Sequence, residues 1–277
     1  QVRSRLLPAS ASISIALSPP VRVEALISGW RRIWNARTQP VTSYLARHHL
    51  ALENEDLTQG PQGFGYLVAS VPHRNGRCVL NGRLPDGQVI TSTTFVGPQG
   101  QVPLYSPLYR NAGSCRGWLT LTPGSTAPLN NTAQGSLDWL KPATPSSPGF
   151  GPLDLRAEGG AWQRPAPGAL LMNLTPSAPG TANALVELSL GPVLVNQAVR
   201  VGSPSRTTLL SALTVLAPNP SALALSAVSS RTGLWGGTLN GGRIDGLIVP
   251  TQSNGTLGFG FYLHRNGSGR AELLPSK

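Results

Sequence analysis

Acidic residues are scarce in this chain: 11 Asp and Glu stand against 22 Lys and Arg, a formal net charge of +11. Lysine is almost absent too, at Lys141 and Lys277 only, so the cations are arginines. They are scattered and never interleave with aromatics, which argues against a nucleic-acid surface and reads first as exposed arginines on a chain poor in acids, with contact to an anionic polysaccharide or a membrane surface as the alternative. No apolar run reaches membrane-spanning length, so no membrane span is expected. The start at Gln1, within strand-like sequence, suits a processed product or a fragment.

The apparatus of catalysis is equally thin. The histidines are His48, His49, His73 and His264, and none lies in a nucleophile elbow. His48 and His49 are adjacent, so on a strand they point to opposite faces and do not form a metal pair. No phosphate-cradling glycine loop opens a helix. The carboxylates open to a glycosidase pair are Asp86, Asp138, Asp154, Glu158, Glu187 and Asp245, but Asp86 and Asp245 sit in turn-like sequence. Glu53-Asn54-Glu55-Asp56 reads as a solvated acidic turn, without the ligand pattern of a calcium loop. No metal, no cofactor and no catalytic residue is expected.

There are two cysteines, Cys78 and Cys115, and no CxxC. Both fall on apolar phases of their strands. Two alternatives stay open: a disulfide, adding about 3–4 kcal/mol by the chain-entropy argument, or two buried thiols acting as small hydrophobes.

Glycine (32) and proline (26) are abundant, about a fifth of the 277 residues, without a collagen period. That composition builds short strands and many turns. The stretch 76–122 shows it best. From Arg77 to Leu84, Cys78, Leu80 and Gly82 share a face, and Pro85-Asp86-Gly87 turns the chain. Gln88 to Val96 is β-branched. In Val102 to Tyr109, Val102, Leu104 and Leu108 oppose Pro103, Tyr105, Pro107 and Tyr109. Two prolines remove two ladder donors, which predicts an edge strand or a bulge. Cys115, Gly117, Leu119 and Leu121 then oppose Arg116, Trp118 and Thr120.

Alternation also predicts strands at 11–17, 21–27, 44–52, 64–71, 136–141, 184–190, 193–201 and 209–216. The two tryptophans of Trp30-Arg31-Arg32-Ile33-Trp34-Asn35 pack under a corner. Near the end, Leu257, Phe259, Phe261 and Leu263 form an apolar face with Gly258 and Gly260 opposite, leaving room for a ring or a backbone. Val228-x-x-Arg231-x-Gly233 echoes Val71-x-x-Arg74-x-Gly76, which suggests a diverged internal repeat of meanders.

The organisation expected is one compact domain, large enough to bury about three quarters of its unfolded surface. Residues 1–142 form a first meander half including 63–122, residues 143–180 a Pro/Gly-rich connection, and residues 181–277 a second half. The fold class is all-β: antiparallel meanders closed, or nearly closed, into a barrel, with a two-sheet sandwich as the alternative.

Gly-Phe-Gly-Tyr (63–66), Leu84-Pro85-Asp86-Gly87, Val102-Pro103-Leu104-Tyr105-x-x-Leu108-Tyr109, Gly113-x-x-x-Gly117-Trp118-Leu119-Thr120 and Gly258-Phe259-Gly260-Phe261-Tyr262-Leu263 also carry a resemblance. Together they resemble a recurrent domain of large secreted or cell-surface proteins of Verrucomicrobia and related bacteria. The resemblance spans most of residues 20–274. It implies an exported, all-β module of something larger, and no catalytic residues come with it.

Three readings follow. The first is a non-catalytic extracellular or cell-surface structural protein or filament subunit, with sister subunits or other domains of a surface assembly as partners. In it, an N-terminal strand such as 11–17 adds to a neighbour's sheet edge. The second is a carbohydrate-binding or adhesion module using Trp118, Tyr105 and Tyr109. The third is a polysaccharide hydrolase or lyase.

Overall fold

The computed structural model describes residues 9–16 and 22–276, except 57, 146, 167, 192, 205–208, 253, 254 and 266. The chain is built of short antiparallel strands. β1 (Ala9–Ala16) and β2 (Arg22–Gly29) pair with each other as a separate two-stranded sheet. Residues 17 and 21 of the expected strands lie outside the described residues.

The first barrel comprises β3 (Arg47–Asn54), β4 (Gly65–Ser70), β5 (Arg77–Arg83), β6 (Val89–Phe95), β7 (Gln101–Leu108), β8 (Gly113–Thr122), β9 (Thr132–Lys141) and β10 (Phe150–Ala161). Each strand neighbours the next, and the last pairs with the first, Gly159 opposite Leu50. The one break in hydrogen bonding falls between β6 and β7. Its cause is legible in the residues. The Gln101 carbonyl accepts from Gly97, so alternation turns the backbone of Gln101, Pro103, Tyr105 and Pro107 toward β6. Two of those four have no N–H to give. The edge strand expected from the prolines is therefore present, folded back against β6 to make a seam.

Period two sends Leu50, Leu52, Leu67, Leu80, Ile90, Leu119, Leu137 and Trp139 inward, all fully buried. The barrel is thus filled by side chains and has a core, not a lumen. Cys78 and Cys115 belong to that core as free thiols, each pushed up to about 12 by burial. This corrects the disulfide alternative. β5 and β8 are separated by two strands, about 14 Å of sheet at the usual spacing, where a disulfide needs Cα atoms within about 7 Å.

The second barrel comprises β11 (Ala184–Leu190), β12 (Val193–Pro204), β13 (Leu210–Val215), β14 (Ala224–Ser226), β15 (Val228–Ser229), β16 (Leu234–Leu239), β17 (Gly242–Pro250), β18 (Thr256–His264) and β19 (Gly267–Pro275). β19 closes onto β11, Glu272 opposite Glu187. β14 and β15 are two halves of one segment interrupted at Ala227: the first bonds to β16, the second to β13. That split segment is the second barrel's seam. Leu171, Val186, Val199, Val228, Ile244, Ile248 and Leu273 fill the interior.

The barrels share a wall. β3 and β4 are buried on both faces because their outer residues, Ala51, Tyr66 and Val68, pack on Leu247, Val249 and Phe261 of β17 and β18. Phe64 meets Phe259 edge-on at 5.1 Å and Tyr66 stacks on Phe261 at 6.4 Å. Phe64 N–H donates to Gly260 O at 3.0 Å, and Ser268 Oγ–H donates to Pro85 O. A Cβ on Gly63 would collide with Phe261 and the Gly269 carbonyl. The two glycine–aromatic stretches, 63–66 and 258–262, are therefore the faces of one joint.

One expectation needs correction. Residues 143–180 are not all connection, because β10 runs through them and closes the first barrel. Its inward set, Leu153, Leu155 and Ala157, is flanked by Gly149, Gly151, Pro152, Gly159 and Gly160, whose turn chemistry hides the alternation. Gly159 allows the His49 carbonyl to approach, so the glycine serves pairing there. Among the described residues no helix is long and apolar enough to cross a membrane.

Candidate functional site

The outer wall around the first barrel's seam carries the chain's exposed aromatic cluster. Pairing of β7 with β8 sets Pro103 opposite Trp118 and Tyr105 opposite Arg116, all on the outer face. Trp118 is 47% exposed and Tyr105 62%. Trp30, which precedes the first barrel, reaches back to this wall: its ring lies 5.2 Å from Trp118, tilted by 52°. It packs against Gly97, where a side chain would displace it. Arg32 lays its guanidinium 4.3 Å above the Phe95 ring. Trp30, Arg32, Phe95, Pro103 and Trp118 line an open cleft of about 270 Å³. Arg116 pairs with Asp138 at 3.4 Å on the same wall.

Of the three aromatics expected to meet a glycan, the structure leaves Trp118 and Tyr105 outside. Tyr109 is a correction. It is half-buried in a left-handed conformation (φ 51°), donates its hydroxyl to Asp86 Oδ2 at 2.5 Å and accepts from Trp139 Nε1 at 3.1 Å. Burial, and then the Asp86 carboxylate, raise its pKa well above the ordinary phenol value. Tyr109 ties the β5–β6 turn to β9, with Lys141 3.7 Å from the same carboxylate. Of the pair Trp30 and Trp34, only Trp34 packs under a corner, against Gly76 with Nε1–H donating to Val96 O at 2.7 Å. The proximity of Trp30 and Arg32 to Trp118 and Phe95 depends on how residues 30–35 cross the barrel, which no local pattern encodes.

A second, polar cleft of about 320 Å³ opens between the barrels. Arg156 bridges Glu53 at 2.6 Å and Glu158 at 3.0 Å, and Arg270 meets Glu53 at 3.2 Å while covering the Phe64 ring at 4.7 Å. Glu53, read as part of a solvated turn, is thus a strand residue linking both barrels. Burial raises the Glu272 carboxyl; Arg270 opposes the rise, and Glu187 and Glu53 add to it. The other expected carboxylates are not gathered here: Asp245 pairs with Arg243 at 2.7 Å, Asp138 with Arg116, and Asp86 with Tyr109 and Lys141.

His48 and His49 point to opposite faces, as adjacent strand residues must. His48 lies in the first core, its Nδ1 3.3 Å from Ala69 O and its Nε2 3.5 Å from Asn131 Nδ2. His49 lies in the shared wall, stacked on Trp162 at 4.9 Å, with Nδ1–H donating to Ile248 O at 2.8 Å. Burial lowers them to about 4 and about 3. Both are neutral, fixed to backbone carbonyls and sealed from solvent. Beside this wall a larger cavity of about 580 Å³, lined by Asn131, Trp162, Leu170, Met172 and Pro250 among others, opens to solvent. Among the described residues no group of three or more His, Cys, Asp or Glu is placed to hold a metal ion.

Fold and surface together define a class: an all-β protein of two joined up-and-down barrels with an aromatic patch on one outer wall. No family model, curated protein or solved structure matches the chain.

Proposed function

We propose that this chain is a non-catalytic carbohydrate-binding or adhesion module of an exported bacterial surface protein. The observation that carries this reading is the pair Trp118 and Trp30, with Tyr105 beside them, held partly exposed on a rigid barrel wall. Large apolar rings left in water are unusual unless a partner covers them. The π-face of an indole suits the C–H face of a sugar ring, whose hydroxyls stay at the rim and keep their water. A filled barrel holds such rings without ordering cost, which is what a weak, repeated contact needs. The reading also follows the resemblance to secreted surface domains. The strongly shifted groups His48, His49 and the cysteines sit packed in cores and wall, and Tyr109 ties a turn to a strand, which fits a role in architecture. A glycan array probed with the full chain, beside Trp118→Ala/Tyr105→Ala, tests it. Wild-type signals that the double variant loses are expected; an array blank for both removes the reading.

A second reading, an assembly subunit, is favoured by a different observation: among the described residues β1 and β2 pair only with each other and belong to neither barrel. A lone two-stranded hairpin is marginal in water, so it suits a strand partner on a sister subunit or another domain. We infer with it that the two barrels are diverged repeats. Gly76 and Gly233 both take positive φ (77° and 70°), and their carbonyls accept from Val96 (2.9 Å) and Ile248 (2.8 Å) in corresponding places. Sedimentation velocity over a wide concentration range would show self-association lost on deleting residues 1–29; a strict monomer throughout counts against it.

A further inference from the structure

The aromatic wall is also a cationic one, and its arginines are of two kinds. Arg116 is paired with Asp138 at 3.4 Å. Arg32 and Arg77 are not: among the described residues neither guanidinium has an ion-pair partner. Both are exposed and both converge on Phe95. Arg32 lies over its ring, and Arg77 is its direct cross-strand neighbour between β5 and β6, on the same face. Trp118 and Trp30 stand on the other side of the same cleft. A ring-stacking surface thus adjoins two uncompensated guanidinium forks, on a chain of net charge +11.

Resting on the glycan-contact reading above, we propose that this cleft takes an anionic polysaccharide: one sugar ring stacks on the Trp118 indole while the acidic groups of the chain are held by Arg32 and Arg77. A planar guanidinium offers two parallel N–H donors to a carboxylate or sulfate, the geometry that gives arginine its preference for such anions. Stacking on Phe95 holds the Arg32 fork in one orientation, so less ordering remains for the ligand to impose. A single-stranded nucleic acid also stacks and carries charge, but it needs a row of cations tracking its backbone. Here Arg116, opposite Tyr105 on the same wall, is already paired with Asp138 at 3.4 Å.

The test is titration of the full chain with sodium polygalacturonate, neutral arabinoxylan and single-stranded oligothymidylate. At about 20 mM NaCl, where charges are weakly screened, polygalacturonate binds and arabinoxylan binds more weakly. Arg32→Gln/Arg77→Gln weakens polygalacturonate about tenfold, as expected for two charge-assisted contacts, and weakens arabinoxylan far less. Trp118→Ala weakens both. Equal affinity for the two polysaccharides, indifferent to the arginine variant, overturns the charge assignment and leaves the glycan reading standing. Polygalacturonate binding that ignores Trp118→Ala places the attraction on net charge elsewhere and overturns the site. Tighter binding of oligothymidylate overturns the ligand class. Silence with both polysaccharides removes this inference, and the glycan array then decides the reading it rests on.

Discussion

At the scale of single residues, the buried histidines make the most exacting statement. His48 and His49 look alike in sequence, and only their period-two placement separates a core residue from a wall residue. Folding forces both to stay neutral, because burial opposes charging them. The unfolded chain protonates them near pH 6.5, while the folded one resists until about 4 and about 3. Between those limits the unfolded state binds more protons, so stability falls as pH falls from about 6.5, and each histidine's contribution levels off below its own folded value. For His48 alone the difference amounts to roughly 3 kcal/mol at 1.36 kcal/mol per pH unit. Denaturant melts from pH 7 to pH 4 should show this slope. His48→Gln can still donate to Ala69 O and has nothing to titrate, so it should remove about one proton's worth of slope. A slope identical in the variant would mean that His48 is not neutral in the folded protein.

At the scale of elements, legibility followed how much of a strand's environment is local. β5, β7 and β8 were readable because one face is wet and alternation is clean. Prolines 103 and 107 even located the seam, since a missing N–H has the same consequence wherever the strand lies. β10 was hidden by glycines and a proline that pairing with β3 and β9 tolerates. β18 was readable as a strand, but its faces acquired their meaning from elsewhere. Its aromatic side, Phe259 and Phe261, meets the other barrel, whereas its glycine side looks into its own barrel. There the Trp235 ring occupies the space beside Gly246 and Gly258, where a Cβ would strike it or press on it. The room for a ring was legible; which ring was not. The candidate patch was half legible for the same reason. Trp118, Tyr105 and Phe95 are outward by the phase of their own strands, but Trp30 and Arg32 join them only through the crossing of residues 30–35.

At the scale of the whole molecule, the shared wall decides whether two barrels behave as one body. Each barrel has its own filled core, so each has the means to melt alone. What joins them is a small apolar patch, Ala51, Tyr66, Val68, Leu247, Val249 and Phe261, with the hydrogen bonds Phe64–Gly260, His49–Ile248 and Ser268–Pro85 and the Arg270–Glu53 ion pair around it. The exposed part of that edge adds little, because such ion pairs contribute about 0–1 kcal/mol. Coupling therefore rests on the rings and on the buried hydrogen bonds beside them. Phe261 is fully buried and faces outward from the second barrel, so truncating it damages the wall while leaving that barrel's interior set intact. Phe261→Ala should cost about 3–5 kcal/mol, the usual range for a buried Phe. Calorimetry should show a single transition in the wild type splitting into two, with the first barrel's peak displaced less than the second's. The Tyr66→Ala/Phe261→Ala cycle should return a coupling of about 0.5–1.5 kcal/mol from the stacked pair. A variant that still melts in one transition, merely shifted downward, would show that the backbone and polar links hold the barrels together without the aromatic joint.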